Sequence, residues 1–305
     1  MTFARIIPAV VIGALALTAC STGSSTDGAG SDGRITVVAA ENFWGSIAEQ
    51  VGGDRVEVTS IIDSPDADPH DYEPTAADGR AVATADLVLV NGVGYDTWAS
   101  NLIDANPADG RAELNVGDLV GAKDDGNPHL WYDPTAVDAV IDQLVADYKQ
   151  LDPDHAAGYD ASAATFREIG LGKYTSTIAS IKKNHSGTKV GASESIFAML
   201  APSLGLDLIT PAPFLTAISE GTDPTAEDKR TSDQQIASKE IAVYVVNSQN
   251  STPDVQDQVK AAKAQGIPVV TITETLTPAG ASFQEWQGAQ LIELWKQLDV
   301  AAGAE

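Results

Sequence analysis

The sequence predicts an α/β protein made of two lobes, each with a parallel sheet. Short apolar runs alternate with amphipathic segments in both halves of the chain, and a loose helical stripe separates the halves. The chain has 305 residues, of which 43% are hydrophobic, and this suffices for two cores. We expect an N-terminal lobe over 35–152, a connecting helix over 153–184 and a C-terminal lobe over 185–305.

In the first half, runs of apolar and β-branched residues predict the strands, and apolar residues at helical spacing predict the helices. Gly52 and Gly53 end the first helix, since glycine accepts the backbone conformation of a helix C-cap. The predicted strands cover 35–40, 56–62 and 87–90, and the predicted helices cover 43–51, 81–85 and 134–151.

The second half repeats this pattern after the connecting segment. Asp152 and Pro153 are typical of a helix start, and roughly 30 helical residues would form a rod of about 45 Å. Gly170 and Gly172 inside the segment disfavour an unbroken helix. The predicted strands cover 189–192, 241–246 and 267–272, and the predicted helices cover 197–204, 253–265 and 283–298.

The first 34 residues are typical of an export signal followed by a tether. Residues 1–19 form a signal peptide, with Arg5 before an apolar stretch too short to span a bilayer comfortably. Leu17-Thr18-Ala19-Cys20 resembles a bacterial lipobox, which implies cleavage before Cys20 and a lipid on its thiol. The alternative is an ordinary signal with an incidental cysteine. Residues 20–34 are rich in Ser and Gly and predict a flexible tether on the extracytoplasmic face of the cell membrane.

Composition excludes several classes of function. With 43 acidic and 18 basic residues, the net charge of −25 argues against binding to nucleic acid or to an anionic lipid surface. A single Cys excludes internal disulfides and cysteine-rich metal sites. The sequence contains no P-loop motif, so any ATP hydrolysis must belong to another protein.

Two histidines stand in settings that favour ligand binding. His70 lies in the segment DPHDYEP at 68–74, and His129 lies in NPHLWYDP at 127–134. A proline precedes each histidine and restricts its backbone, and loops beyond parallel strands are where α/β proteins bind ligands. His155 and His185 lack this setting, and we expect them to be exposed.

Two histidines seldom complete a metal site, so carboxylates are needed. Glu194 and Glu274 each follow a predicted strand of the second lobe. Either acid alone is more typical of a solvated loop. Their shared position after strands makes them the candidates to face His70 and His129.

With these segments, the chain resembles the metal-binding lipoproteins of bacterial ABC importers, the manganese/zinc class of solute-binding proteins. The resemblance covers 35–298, and DPHDYEP matches the family's Pro-His-x-Tyr-Glu-Pro signature. Asn127 stands where relatives frequently carry Asp, and Glu274 stands where Asp is common. The resemblance implies one rigid helix between the lobes and a metal site made of His70, His129, Glu194 and Glu274.

Two imidazoles and two carboxylates suit both Mn²⁺ and Zn²⁺. The lack of a third histidine ligand and of a His-rich loop favours manganese in the cell, with zinc binding at least as tightly in vitro. We expect a monomer that carries one such ion as cargo to an ABC permease and is not an enzyme. A zinc hydrolase is the alternative, although catalytic zinc usually keeps an open position, and so is an adhesin with the same fold.

Overall fold

The described part of the chain forms two four-stranded sheets, one in each half, and all their paired strands are parallel. The computed structural model describes residue 1 and residues 33–65, 72–250 and 252–303. The first sheet has the order β2-β1-β3-β4. Its strands are β1 (Ile35–Glu41), β2 (Val56–Ile62), β3 (Leu87–Val90) and β4 (Ala112–Asn115).

The second sheet repeats this arrangement with the order β6-β5-β7-β8. In each lobe the chain runs from the first strand to a neighbour on one side and later crosses to a strand on the other side. This change of direction places a ligand crevice at the carboxyl end of the first strand. The predicted α/β class with parallel sheets is therefore confirmed. The strands of the second sheet are β5 (Lys189–Ala192), β6 (Asp207–Leu208), β7 (Tyr244–Asn247) and β8 (Val269–Ile272).

Helices cover the faces of both sheets. Within the described ranges, those of the first lobe are α1 (Asn42–Gly52), α2 (Ala76–Thr84), α3 (Thr97–Ala105), α4 (Val116–Val120) and α5 (Pro134–Leu151). Next come α6 (Ala156–Thr165) and α7 (Gly172–His185) in the connecting segment. Those of the second lobe are α8 (Ile196–Leu204), α9 (Ala212–Ser219), α10 (Ala226–Ala237), α11 (Pro253–Ala264) and α12 (Phe283–Ala302).

Most predicted elements are present, with some different bounds. Helix α2 begins five residues before the predicted start because Thr75 and Asp78 form a reciprocal capping box there. Strands β7 and β8 begin later than predicted, since their ladder starts where Tyr244 pairs with Val269. The polar or short elements α3, α4, α9, α10, β4 and β6 were not predicted.

The connecting segment is helical but is not the single α-helix expected over 153–184. Residues Phe166–Gly170 form a π-helix between α6 and α7. A side chain at Gly170 would place its Cβ only 2.6 Å from the ring of Phe166, so glycine allows that ring to fold back. Helix α6 packs on α1 and α5, whereas α7 packs on α8 and α12. The segment thus joins both lobes, and the boundaries at 152 and 185 stay a prediction.

His155 and His185, both expected at the surface, differ in their exposure to solvent. His155 is exposed, as predicted. The prediction for His185 was wrong, because it is buried between α7 and α12 with its Nε2 2.9 Å from Oδ1 of Asp299. The flanking lysines suggested an exposed turn, but His185 still belongs to the last turn of α7 and faces the C-terminal helix.

The lobes also contact each other directly near their facing ends. Tyr132 donates a hydrogen bond of 2.8 Å to the carbonyl of Thr273, and the amide of Phe283 donates one of 2.9 Å to Ser46. Both bonds join the first lobe to the loop or helix that follows β8. These contacts fix the relative placement of the loops that lie between them.

No helix in the described part of the chain is long and apolar enough to cross a membrane. Apart from residue 1, the predicted signal peptide lies outside the described residues, as do Cys20 and nearly all of the predicted tether.

Candidate metal centre

Three of the four predicted ligands converge between the facing ends of the two sheets. His129, Glu194 and Glu274 each offer a ligand atom, and these atoms lie within 4.8 Å of one another. Their exposed fractions are 0%, 1% and 8%. The fourth predicted ligand, His70, lies outside the described residues.

The chain delivers these side chains from three different loops. Glu194 follows the end of β5, and Glu274 follows the end of β8, so both leave the carboxyl edge of the second sheet. His129 belongs to the first lobe and directly precedes the 3₁₀ turn Leu130–Tyr132 that leads into α5. The site therefore needs both lobes, as expected for a ligand crevice at strand ends.

Asn127 fixes both the orientation and the tautomer of His129. Its Oδ1 accepts from the backbone amide of His129 at 3.1 Å and lies 2.8 Å from Nδ1 of the same residue. Its Nδ2 donates to the carbonyl of Ser195 at 2.6 Å, which identifies Oδ1 as the acceptor. The proton of the neutral imidazole must then lie on Nδ1, leaving a lone pair on Nε2.

The Nε2 atom of His129 is the free coordinating atom of this set. It is buried and has no hydrogen-bond partner in the described structure. Oε1 of Glu274 lies 3.7 Å away from it. A buried lone pair without a donor costs free energy, and a metal ion placed between these atoms would satisfy it.

Aromatic rings form the wall behind the imidazole. The ring of Trp131 meets that of His129 edge-on at 5.3 Å between centroids, and Tyr95 approaches at 6.1 Å. Trp131 in turn stacks on Phe43 with 4.0 Å between centroids. These rings give the imidazole apolar surroundings and leave His129 little freedom to change rotamer, so its Nε2 stays directed at the carboxylates.

Amide and phenol groups hold the two carboxylates. Asn247 donates to Oε1 of Glu194 at 2.5 Å and to Oε1 of Glu274 at 3.3 Å. Asn250 donates to the other Glu194 oxygen at 2.7 Å. The hydroxyl of Tyr95 lies 3.5 Å from Oε2 of Glu274. These neutral donors help to hold two acids that would otherwise repel each other.

The two carboxylates are buried and close together, which disfavours the ionisation of both at once. Burial first, and then the negative charge of Glu274, raises the pKa of Glu194 to about 7, against the opposing effects of His129 and of the two asparagines. A divalent cation would reverse this balance, because it supplies two positive charges beside two acids. The electrostatics of the site thus favour cation binding.

Gln249 organises the loop that carries Glu274. Its Oε1 accepts from the backbone amides of Glu274 at 2.6 Å and Thr275 at 3.1 Å. Its Nε2 donates to the hydroxyl of Thr275 at 2.8 Å and also to the carbonyl of Pro65 in the first lobe. One side chain therefore joins the Glu274 loop to the first-lobe segment that leads into residues 66–71.

Sequence reasoning missed the three amide residues Asn247, Gln249 and Asn250. A signal was available, since Asn-Ser-Gln-Asn follows the strong apolar run at 241–246, just as Glu194 and Glu274 follow their own strands. The segment was not singled out because only acids and histidines were considered as candidates, and amides are common in loops.

The amino-acid sequence matches a known protein family over most of its length. Residues 37–296 match the family described as ZnuA, zinc-uptake complex component A, periplasmic. The chain belongs to this family. The predicted resemblance to metal-binding proteins of ABC importers is confirmed by this match, as is the expectation of a binding protein rather than a hydrolase.

Individual relatives are consistent with this membership. The manganese-binding lipoprotein MntA of Halalkalibacterium halodurans is 31% identical over 160 residues, which span 51% of this chain and 53% of that protein. The chain thus matches about half the length of that relative. The manganese-binding lipoprotein MntA of Bacillus subtilis is 24% identical over 298 residues, which span 93% of this chain and 90% of that protein.

A solved structure shares the architecture. The Mn-bound periplasmic metal binding protein from Candidatus Liberibacter asiaticus superposes with a TM-score of 0.73 at 20% identity, covering 87% of this chain and 100% of that one. At this level of identity the likeness shows the fold alone, and it agrees with the two parallel sheets described above.

Proposed function

We propose that this protein captures a divalent transition metal ion, Mn²⁺ or Zn²⁺, between its lobes and delivers it to an ABC permease. The observation that carries this proposal is the buried cluster of His129, Glu194 and Glu274, with an imidazole lone pair aimed at two carboxylates. Two negative ligands neutralise a divalent ion, which makes its burial favourable. Relatives named for manganese binding support the same cargo.

His70 completes the proposed ligand set. The described ligands supply one nitrogen and two carboxylates, which leaves room in the coordination sphere for a second imidazole. Gln249 ties the described end of the first-lobe loop, at Pro65, to the Glu274 loop, and His70 follows five residues later in the sequence. Four protein ligands would close the site to water, which suits cargo transport better than catalysis.

The proposed partners follow from this role. A monomer anchored through a lipid on Cys20 would keep the two lobes beside a permease on the extracytoplasmic face of the membrane. The 20–34 tether supplies reach, since Ser/Gly-rich chains behave as flexible coils. The relatives named as lipoproteins support this location.

Metal analysis tests the proposed function directly. The protein should be purified from its host without chelators or added metals, and its metal content measured by mass spectrometry. We expect about one manganese ion per chain, and titration of the stripped protein should show tight binding of both Mn²⁺ and Zn²⁺. A stripped protein that binds neither ion would refute the proposal.

Substitution of Glu274 tests the ligand that departs from the usual Asp of relatives. Glu274→Gln keeps the shape and removes a negative charge at the ion, so we expect affinity to fall about tenfold or more. Glu274→Asp should weaken binding less or change the preference between Mn²⁺ and Zn²⁺. Calorimetric titration at low and high salt measures both. If Glu274→Gln matched the native protein at high salt, Glu274 would be a screened loop acid and not a ligand.

Cys20→Ser tests the lipid anchor. We expect the variant to leave the membrane fraction, because the thiol that would carry the lipid is absent, while its metal affinity stays unchanged. Fractionation of cells followed by immunoblotting measures the location. A variant that still sediments with membranes would show that another anchor exists.

A further inference from the structure

The amide groups that follow β7 hold Glu194 in one orientation. Asn250 uses its Nδ2 twice, donating to Oε2 of Glu194 at 2.7 Å and to the carbonyl of Ile218 at 2.9 Å. Asn247 is buried, and its Oδ1 accepts from the backbone amide of Gln249 at 3.0 Å. Neither asparagine can turn without breaking a second hydrogen bond, so both act as fixed donors.

A different asparagine donates to each of the two oxygens of Glu194. Oε1 shares the amide of Asn247 with Glu274, so it lies on the side of the other acidic ligand. Oε2 is held by Asn250, whose second bond ties it to Ile218 at the end of α9. Both oxygens accept a close donor, Asn247 on Oε1 at 2.5 Å and Asn250 on Oε2 at 2.7 Å, so the plane of the carboxylate is fixed with Oε1 on the side of Glu274. An ion beside Glu274 and His129 would therefore meet Oε1, and Oε2 could join it only if the carboxylate turned away from Asn250.

The number of oxygens that Glu194 offers affects which ion is preferred. Zn²⁺ is satisfied by about four nitrogen and oxygen ligands, whereas Mn²⁺ prefers about six, mostly oxygen. A carboxylate that binds through two oxygens adds a ligand without adding a residue. Restricting Glu194 to one oxygen should therefore cost Mn²⁺ more than Zn²⁺.

We propose that Asn250, supported by Asn247, is a selectivity-determining residue that limits Glu194 to one-oxygen coordination and so favours Zn²⁺ over Mn²⁺. Asn250 is a positioning residue, since it acts through Glu194 and not on the ion. The inference rests on the proposed metal-binding function and goes beyond it, because it assigns the relative affinity for two ions to a side chain outside the ligand set.

The test compares the ratio of dissociation constants for Mn²⁺ and Zn²⁺ in matched variants of the full chain. In Asn250→Ala, the ratio Kd(Mn²⁺)/Kd(Zn²⁺) should fall about fivefold or more, as outer-sphere partners commonly change affinity by about 10- to 100-fold. Asn250→Leu fills the same volume without a donor and should shift the ratio in the same direction. X-ray absorption of the Mn²⁺-loaded variants should show an added oxygen ligand.

Gln235→Ala is the matched control. Gln235 also donates an amide hydrogen bond to a backbone carbonyl of the second lobe, that of Ile209 at 2.7 Å, but the described structure shows no contact between it and a proposed ligand. Its loss should leave the ratio unchanged. An unchanged ratio in both Asn250 variants, or an equal shift in Gln235→Ala, would overturn the proposal while leaving metal binding itself intact. A native protein that binds neither ion would instead refute the proposed function, and the selectivity role with it.

Discussion

Replacing His129 by Ala is expected to weaken the binding of both Zn²⁺ and Mn²⁺ at least about a hundredfold, an effect of roughly 2.8 kcal/mol. The substitution removes the described nitrogen ligand, whose tautomer and direction are already set by Asn127. It also leaves Glu194 and Glu274 close together without the imidazole between the lobes. Calorimetric titration of the stripped variant measures the loss, and replacing His70 as well should abolish tight binding.

An exposed histidine of the same chain provides the control. His155 lies at the start of the connecting segment and pairs with Asp152 at 2.8 Å, remote in sequence from the proposed ligands. His155→Ala should leave both affinities unchanged. Circular dichroism must show that His129→Ala remains folded, because His129 is fully buried. A folded His129→Ala variant with native affinity would remove this residue from the site.

The alternation of apolar runs and amphipathic segments was sufficient to predict the α/β class. Strand β3 is entirely apolar, β1 is apolar or β-branched up to its last residue, and α5 has an N-cap and an apolar stripe, so local sequence and tertiary packing agree. Elements such as α10 were missed because most of its residues are polar and only one narrow stripe is buried. Its stability comes from packing and from the Thr225 cap, which a periodicity count underestimates.

The connecting segment shows a different limit of sequence reasoning. Its length and helical character were predictable, but the π-helix at Phe166–Gly170 depends on a ring folding onto a glycine, which is a tertiary contact. A glycine in a helix predicts only a weakness there, not the kind of irregularity that results. His185 was mispredicted for the same reason, since its partner Asp299 lies more than a hundred residues away in the sequence.

The sequence pointed to three candidate ligands that the structure brings together, but not to the groups that orient them. His129, Glu194 and Glu274 were found because they are chemically distinctive and follow prolines or strands. The groups that orient them are Asn127, Asn247, Gln249 and Asn250. Amides are frequent in loops, and their role depends on which atom lies at hydrogen-bond distance. Asn127 was noticed only as a departure from the usual Asp, yet its amide bonds both His129 and the opposite lobe.

Lowering the pH from about 8 to about 5.5 is expected to weaken Zn²⁺ binding about thirtyfold through Glu194 alone. Burial and the neighbouring Glu274 raise the pKa of Glu194 in the metal-free protein to about 7. A metal ion binds the deprotonated carboxylate, so its apparent affinity follows the deprotonated fraction and falls as the pH drops through 7. Competition titrations with a chromophoric chelator across this range measure the slope.

Whereas metal affinity is expected to rise with pH, the stability of the metal-free protein should fall as the pH rises. Because folding raises the pKa of Glu194 above its ordinary value of 4.5, the folded protein binds more protons than the unfolded chain between these two pKa values. The contribution of Glu194 to the free energy of unfolding is therefore present at low pH and is lost as the pH rises towards 7. Glu194→Gln removes this titration, so the difference in melting temperature between Glu194→Gln and the native protein should widen as the pH rises from about 5 to about 8. A difference that stays constant with pH would show that Glu194 titrates normally and that the two carboxylates are not held in close opposition before the ion arrives.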